Sequence, residues 1–266
     1  MKSLVRAVFR SVGLEINRAV PTKPPAEPSY TALQEFLIQL QRVGFSPKEI
    51  YDIGANKGNW TRSVLQVFPD SSYLLVEPQD HLRANIADLL AKPKVSVVHC
   101  ALSDRPGKAQ FLRHAWDVTS HLVTANDSAT SSAESETVEV DVKTVTSLIA
   151  ERGKTPDIIK IDAEGFDLQV LDGSQEAFGV TELFLVEAAV ANPDMVNDVR
   201  TVTNRMAEAD YQLAAILDIS TYQWPPHHHS PGLQWLADLA FLKKDGPILK
   251  ALQKPKRDQL RVVRGW

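Results

Sequence analysis

The sequence predicts an α/β fold in which helices cover both faces of a parallel β-sheet. Short apolar runs of strand length alternate with segments of helical periodicity along most of the chain. Two of these runs end at an acidic residue beside a glycine-containing turn, as expected at the carboxyl edge of such a sheet. The 266 residues, of which 44% are hydrophobic, suffice to build a core on each face.

The predicted elements begin with a helix over residues 30–45, where apolar side chains recur at helical spacing. Candidate strands follow at 49–53, 72–76, 95–100, 157–161, 182–187, 211–217 and 237–242. Further helices are expected near 60–68, 80–91, 144–152, 167–178 and 195–209. Their alternation indicates that most strands run parallel, with a helix in each crossover.

Composition divides the chain into segments. The proline-rich stretch 21–29 separates a basic amphipathic helix, predicted for residues 1–20, from a main domain predicted for residues 30–243. Inside this domain, segment 108–142 interrupts the alternation with two strand-like runs, AQFLR and ETVEVDV, around a polar serine-rich loop. A basic tail is expected over residues 244–266.

Charge is unevenly distributed along the chain. Both ends are basic, so the acidic excess lies in the body although the net charge is only −4. An acidic body disfavours a nucleic-acid partner. The predicted N-terminal helix would suit docking on its own domain or on a partner, or peripheral contact with an anionic membrane through residues 1–18.

The same composition bears on location. No apolar run approaches the roughly 20 residues of a membrane span, and arginines interrupt the run that a signal peptide would need. The single cysteine, Cys100, excludes an internal disulfide. We therefore expect a cytoplasmic protein, with attachment to the inner face of the membrane as the alternative.

The stretch EIYDIGANKGNW, residues 49–60, predicts a strand, a tight turn and a helix start. Gly54 and Gly58 permit a sharp turn that a ligand can approach closely. The spacing G-x-x-x-G is neither the dinucleotide fingerprint nor a P-loop. Asp52, directly before the turn, would repel a pyrophosphate but attract a cationic centre.

A second acid follows in YLLVEPQ, where Glu77 ends the next strand and is placed to hold the two hydroxyls of a ribose. Asp52 and Glu77 together favour S-adenosylmethionine, which joins a nucleoside to a positively charged sulfur. The alternative is that Asp52 caps a turn and that Glu77 is a surface acid. In CALSD, the small residues Ala101 and Ser103 would leave a slot for an adenine ring.

These motifs, with PDIIKIDAEGFDLQVLDG at 156–173, resemble the FkbM family of S-adenosylmethionine-dependent methyltransferases over about residues 48–190, and more loosely to about 243. The resemblance implies a class I methyltransferase-like, doubly wound sheet of seven strands, mostly parallel with a last antiparallel strand. It implies hydroxyl acceptors on sugars, glycans, glycolipids or secondary metabolites. It also implies a donor site in which Glu77 holds the ribose, formed by Asp52, Gly54, Ala55, Asn56 and Gly58 on the methionine side and by Ala101, Leu102 and Ser103 on the adenine side.

Transfer of a methyl group to a hydroxyl needs alignment of the reacting atoms and removal of a proton. Asp162 and Glu164 follow a buried strand at the same predicted edge, so they are the first candidates for holding the acceptor. The alternatives are that Asp162 contacts the donor's amino group and that Glu164 caps the next helix. A divalent cation that acidifies the hydroxyl is a further alternative, without assigned ligands.

Other residues are weaker candidates. Glu187 ends the strand LFLVEAAV and would frame the acceptor pocket, and His228 lies in the loop WPPHHHSPG as a candidate base. His114 and His121 are alternative bases. Three aromatic residues would stack on a sugar ring or else pack internally: Trp116, Tyr222 and Trp224.

Two other functions remain open at the level of sequence. A nucleotide-dependent oxidoreductase would be expected to carry the dinucleotide glycine pattern, which is absent here. A non-catalytic nucleoside-binding module on the same fold would be expected to have lost the glycine turn, which is present.

Overall fold

The computed structural model describes residues 31–114, 120–123, 135–191, 195–222 and 233–254. The chain divides into a unit of Met1–Tyr30 and a unit of Thr31–Trp266, and every described residue belongs to the second. The predicted N-terminal helix and linker, the histidine run at 227–229, Trp116 and Trp224 lie outside the described residues, as do the side chains of His114 and Tyr222.

Eleven strands are found within the described ranges, and their bounds in chain order are β1 (Glu49–Ile53), β2 (Ser72–Val76), β3 (Val95–Val98), β4 (Ala101–Leu102), β5 (Gly107–His114), β6 (His121–Leu122), β7 (Ser135–Lys143), β8 (Ile158–Ile161), β9 (Leu183–Ala189), β10 (Tyr211–Tyr222) and β11 (Leu233–Lys243). Seven of them form one sheet in the order β10-β11-β9-β8-β1-β2-β3. β11, the last in the chain, is antiparallel to both of its neighbours, and the other pairings in this sheet are parallel. The predicted sheet, mostly parallel with an antiparallel last strand, is confirmed.

The position of β1 determines where a ligand can bind. β1 pairs with β2 on one side and with β8 on the other, so the strand order reverses beside it. In open α/β sheets, ligands bind outside the carboxyl ends of the strands at such a reversal. The glycine turn after β1 and the acidic residues after β2 and β8 all lie at this point.

Helices pack on both faces of the sheet. The α-helices of the described ranges are α1 (Ala32–Arg42), α2 (Asn59–Leu65), α3 (Ala87–Leu90), α4 (Val145–Arg152), α5 (Asp167–Asp172), α6 (Val199–Glu208) and α7 (Pro247–Gln253). Apolar side chains of α1, α2, α3 and α7 share one core with one face of the sheet. Those of α4, α5 and α6 share a second core with the opposite face. Two-sided burial explains why most side chains of the central strands are apolar.

The segment predicted to interrupt the alternation forms a separate small sheet in the order β4-β7-β5-β6. Its AQFLR and ETVEVDV runs pair antiparallel as parts of β5 and β7, as predicted. The predicted strand 95–100 is shorter than expected. β3 ends at Val98, and the chain then enters the small sheet, where Ala101 pairs with Val142. This sheet has its own apolar cluster, formed by Ala101, Phe111, Leu122 and Val142.

Several boundaries differ from those predicted. The helix expected at 80–91 is a 3₁₀-helix (Asp80–Ile86) followed by α3. The helix expected at 195–209 begins only at Val199, because the Asp198 side chain caps it by accepting a hydrogen bond from the Thr201 N–H at 2.7 Å. β10 and β11 are longer than expected. α7 lies beyond the predicted domain end at 243 and packs Ile248 and Leu249 into the first core.

Across the parts of the chain that are described, no helix is both long enough and apolar enough to cross a membrane.

Candidate active site

The turn after β1 is wedged between two neighbouring strand ends. Gly54 has a φ of +71°, and a Cβ built there would overlap the carbonyl oxygen of Asp162 and lie 2.9 Å from its carbonyl carbon. The N–H groups of Gly54 and Ala55 donate to the carbonyl oxygen of Val76 at 3.0 and 3.1 Å. Only glycine combines this backbone conformation with this close approach. The turn is thereby fixed against the ends of both β2 and β8.

Lys160, on β8, connects the turn to the surrounding acids. Its Nζ lies 3.0 Å from Oδ2 of Asp162, 3.5 Å from Oδ1 of Asp52 and 3.0 Å from the carbonyl oxygen of Gly54. Burial disfavours the charged ammonium, but Asp162 and Asp52 outweigh this effect and raise the pKa of Lys160 above its ordinary value. The side chain is therefore a buried cation that is neutralised from two sides.

Asp52 lies beneath the site. Its side chain is fully buried, and its Oδ2 accepts a hydrogen bond of 2.5 Å from the Thr61 hydroxyl. Together with the contact to Lys160, this bond turns the carboxylate toward the protein interior. The structure thus gives Asp52 a supporting position below the glycine turn.

Glu77 is held rigidly at the end of β2. Its Oε2 accepts a hydrogen bond of 2.8 Å from the Asn56 N–H, and its Oε1 accepts one of 2.9 Å from the Gln79 N–H. Burial raises the pKa of Glu77, while the bonds from Gln79 and Asn56 lower it. A hydrogen bond from the Gln79 side chain holds it as well, so the carboxylate has a fixed orientation.

Four carboxyl groups, here called the acidic wall, face the turn from β8, β9 and β11: Asp162, Glu164, Glu187 and Asp238. Glu187 and Asp238 are direct cross-strand partners in the antiparallel pairing of β9 and β11. Burial is the largest cause of raised pKa values in this wall, and neighbouring carboxylates add to it. The pKa is raised to about 9 for Glu187, about 8 for Glu164 and about 7 for Asp238.

A buried acid supports the loop between β8 and α5. Asp167 accepts hydrogen bonds from the N–H groups of Ala163 and Gly165, at 2.9 and 3.2 Å, and one of 2.8 Å from the side-chain amide of Asn197. Burial raises its pKa to about 6, although the Ala163 bond acts in the opposite direction. Asp167 thereby fixes the loop in which Glu164 adopts a φ of +48°.

A cavity of about 360 Å³ lies between these groups, within the range of small-molecule sites. The acidic wall forms one side. Another part of the lining, here called the apolar wall, is formed by residues of the small sheet and the β8–α5 loop: Ala101, Leu102, Phe111, Leu122 and Phe166. A cavity lined by both an apolar wall and fixed charges suits a ligand that has a flat ring at one end and a polar or cationic group at the other.

Most of the site residues predicted from sequence meet in this cavity, namely Gly54, Ala55, Asn56, Glu77, Ala101, Leu102, Asp162, Glu164 and Glu187. Three do not line it. Asp52 is buried below it, Gly58 packs against Leu89 as the N-cap of α2, and the Ser103 hydroxyl donates to Asp104 at 3.2 Å. His228 lies outside the described residues, so its predicted role stays a prediction.

The cavity is also lined by three residues that were not predicted from sequence: Lys160, Asp238 and Trp60. Lys160 and Asp238 each stand inside an otherwise apolar strand, IIKI and LADLAF, and an interrupted apolar run was the available signal. Trp60, in the first turn of α2, has a buried indole nitrogen without a hydrogen-bond partner in the described structure.

Among the residues that the structure describes, no group of three or more histidine, cysteine, aspartate or glutamate side chains is arranged to hold a metal ion.

Comparison with solved structures finds several methyltransferase structures with low sequence identity. An FkbM methyltransferase from Methylobacillus flagellatus is 18% identical with a TM-score of 0.48, and the match covers 74% of this chain but only 44% of that one. A precorrin-6y C5,15-methyltransferase from Geobacter metallireducens is 10% identical with a TM-score of 0.45, covering 84% and 93%. A putative O-methyltransferase from Klebsiella pneumoniae is 14% identical with a TM-score of 0.43, covering 91% and 96%. The chain thus spans less than half the length of the Methylobacillus protein.

No curated protein sequence matches the chain. The family model described as the methyltransferase FkbM domain matches residues 52–213, which is more than half of the chain. The matched region begins at Asp52, before the glycine turn, and contains Glu77 and the β8–α5 loop. The chain therefore belongs to the FkbM methyltransferase family.

Proposed function

We propose that this protein is an S-adenosylmethionine-dependent O-methyltransferase that acts on a hydroxyl group of a sugar, glycan, glycolipid or secondary metabolite. The observation that carries the proposal is the fixed carboxylate of Glu77, which lines the cavity beside the glycine turn at the point where the strand order reverses. Family membership supports methyl transfer. The residues of the site support S-adenosylmethionine as the donor and a hydroxyl group as the acceptor.

The residues present fit the donor. The glycine turn, where a Cβ at Gly54 would collide with backbone, offers the close approach that the methionine part needs. Glu77 would accept hydrogen bonds from the ribose hydroxyls, and Ala101 and Leu102 on the apolar wall would contact the adenine ring. When bound, the donor supplies a methyl group already activated by a positively charged sulfur.

The acidic wall fits a hydroxyl acceptor. In such a transfer, the acceptor oxygen bonds to the methyl carbon, the carbon–sulfur bond breaks with its electron pair remaining on sulfur, and the hydroxyl proton must leave. Asp162 is held by Lys160 at 3.0 Å, which suits it to orient the hydroxyl. Burial raises the pKa of Glu164 to about 8. Its carboxylate is therefore a stronger base than an ordinary one, which suits it to accept the proton.

Calorimetric titration with S-adenosylhomocysteine and with NAD tests the donor assignment. We expect micromolar binding of the first ligand, no binding of the second, and at least tenfold weaker binding of the first in Glu77→Ala. Glu49→Ala is the matched control. Glu49 is also a buried acid, but it lies at the opposite end of β1 and pairs with Arg152 at 3.0 Å.

Thermal unfolding of both variants shows whether each is folded before its affinity is compared with that of the wild type. Binding of NAD, or equal loss of binding in the two variants, would contradict the donor assignment.

Incubation with labelled S-adenosylmethionine and a set of hydroxylated acceptors tests the other part of the proposal, which is transfer of the methyl group to a hydroxyl.

A further inference from the structure

The cavity has more acidic than basic groups. Five carboxyl groups line it within the described structure: Glu77, Asp162, Glu164, Glu187 and Asp238. The lysines of the same lining are Lys57 and Lys160. Lys160 is engaged by Asp162, by the backbone of the glycine turn and by Asp52 below the cavity. The carboxyl groups that Lys160 does not contact, apart from Glu77, all belong to the acidic wall.

Two members of this wall are forced together by strand register. Glu187 and Asp238 are cross-strand partners on one face of β9 and β11, so the two side chains leave the sheet side by side. Their strands are fixed by six further partner pairs, from Leu236 with Ala189 to Leu242 with Leu183. The pair therefore cannot separate to relieve repulsion without a shift of the whole register.

Part of Glu187 is without a partner. Its Oε2 is buried and accepts no hydrogen bond from the described residues, although the side chain lines the cavity. A buried carboxylate oxygen without a donor is costly, and either a proton or a cationic ligand removes that cost. This unpartnered oxygen is a second indication of a ligand, and it does not depend on counting the charges of the cavity.

The surroundings of the pair are mainly negative. Glu187 faces Asp162 and Glu164 from the end of β8 and its loop, Asp167 from α5 and Asp238 from β11. Burial and these four carboxyl groups raise its pKa to about 9.

Burial is the largest effect on Asp238, and Lys160 acts against it by lowering the pKa. Together with Asp162, Asp218 and Asp167, burial raises the pKa of Asp238 to about 7. Near neutral pH these carboxyl groups of the ligand-free protein therefore retain protons that isolated carboxyl groups would have lost.

We propose that Glu187 and Asp238 form a proton-linked pair that selects a positively charged ligand, holding a shared proton in the empty cavity and releasing it when a cation enters. The inference rests on the proposed function, in which that cation is the sulfonium of S-adenosylmethionine. It adds a specificity role for Asp238, and it predicts discrimination between S-adenosylmethionine, whose sulfur is positively charged, and the product S-adenosylhomocysteine, whose sulfur is uncharged.

The pair also closes the proton balance of the transfer. A hydroxyl acceptor gives up one proton when its oxygen bonds to the methyl carbon, while the electron pair of the broken bond neutralises the sulfur. Loss of the positive charge restores the affinity of the pair for a proton. Glu187 and Asp238 can then take up the proton that Glu164 accepts from the acceptor, so the proton balance closes without an oxidant.

Calorimetry of the wild-type protein tests this proposal with two probes, S-adenosylmethionine and S-adenosylhomocysteine, in buffers of different ionisation enthalpy near about pH 7.5. We expect the charged ligand to release roughly one proton more than the uncharged one. Between about pH 7 and 9, its affinity should rise by about 10- to 50-fold more than that of S-adenosylhomocysteine. The proton count is a binding property and does not depend on turnover.

Variants assign the effect to the pair. Glu187→Gln and Asp238→Asn, singly and together, should bring the extra proton release close to zero after subtraction of each ligand's own titration. Glu208→Gln and Asp70→Asn change exposed acids outside the cavity lining and should leave the extra proton in place. The comparison within the wild-type protein is decisive even if a pair variant does not fold.

Each outcome has one meaning. If both probes bind but release equal numbers of protons with the same pH dependence, the proton-linked pair is refuted while the donor assignment stands. If neither probe binds, the proposed function itself fails, and this inference fails with it. If Glu208→Gln or Asp70→Asn removes the extra proton as fully as the pair variants do, the assignment to Glu187 and Asp238 is wrong.

Discussion

Replacement of Gly54 by alanine tests the geometry on which the donor site depends. Gly54 has a φ of +71°, and an added Cβ would overlap the backbone carbonyl of Asp162. A carbonyl oxygen cannot rotate away as the end of a flexible side chain could, so β8 or the turn must move. The carbonyl oxygen of Gly54 also accepts a hydrogen bond of 3.0 Å from Lys160, which in turn contacts Asp162. This movement would therefore disturb the acidic wall as well.

Gly153 is a matched control for the backbone cost alone. It has a similar φ of +65° at the C-cap of α4, but no atom lies within 4 Å of a Cβ built there. Alanine in this conformation costs about 1–2 kcal/mol, and the loss of freedom in the unfolded chain offsets about 0.4–1 kcal/mol of that. Gly153→Ala should therefore lower the free energy of unfolding by about 1 kcal/mol.

Gly54→Ala should have the same backbone cost and, in addition, a packing cost of about 1–3 kcal/mol. For a chain of this size, the difference corresponds to a melting temperature about 2–12 °C below that of Gly153→Ala. Differential scanning calorimetry measures this difference, and titration with S-adenosylhomocysteine should show at least tenfold weaker binding only in Gly54→Ala. Equal melting temperatures and equal affinities in the two variants would refute the argument from close approach.

Three further changes test the charged groups of the site. Glu187 has a pKa of about 9 in the folded protein, so the folded state holds a proton that the unfolded chain loses above about pH 4.5. Denaturant midpoints of the ligand-free protein should therefore fall as pH rises from about 5 to 9, and less steeply in Glu187→Gln. Lys160→Met leaves two carboxylates without their cation and should cost about 3–5 kcal/mol in urea unfolding, whereas a loss below about 1 kcal/mol would contradict the role of Lys160 as a shared counter-ion. Asp167→Asn places an amide donor against N–H groups and should cost about 1–3 kcal/mol by the same measurement, with unchanged stability as the contradicting result.

The parts of the site that could be predicted from sequence are those fixed by local structure. A glycine turn after a buried strand and an acid at the tip of the next strand both lie within one strand–turn–helix unit. The parallel arrangement of β1, β2 and β8 then brings Gly54, Glu77 and Asp162 to one edge without knowledge of the exact register. These three residues do lie together in the structure.

Asp238 could not be predicted in the same way. It lies on β11, which is inserted between β9 and β10 in the direction opposite to the other strands. Its pairing with Glu187 depends on a register between segments that are distant in sequence, and a shift of one residue would turn Asp238 to the other face.

The position of Asp52 was unpredictable for a related reason. Whether a carboxylate faces the ligand or the interior depended on Lys160 and Thr61, which come from different elements.

Lys160 connects the two halves of the proposed reaction. The same ammonium contacts the carbonyl oxygen of Gly54 on the donor side and the carboxylate of Asp162 on the acceptor side, each at 3.0 Å. A shift of the glycine turn would therefore weaken the contact to Asp162, and protonation of the acidic wall would change the charge that the turn experiences. Burial disfavours the charged ammonium, but Asp162 and Asp52 outweigh it and raise the pKa of Lys160, so its charge remains constant while the surrounding carboxyl groups titrate. A constant cation between the glycine turn and Asp162 would let the acidic wall gain or lose a proton while the turn, the proposed donor site, keeps its position.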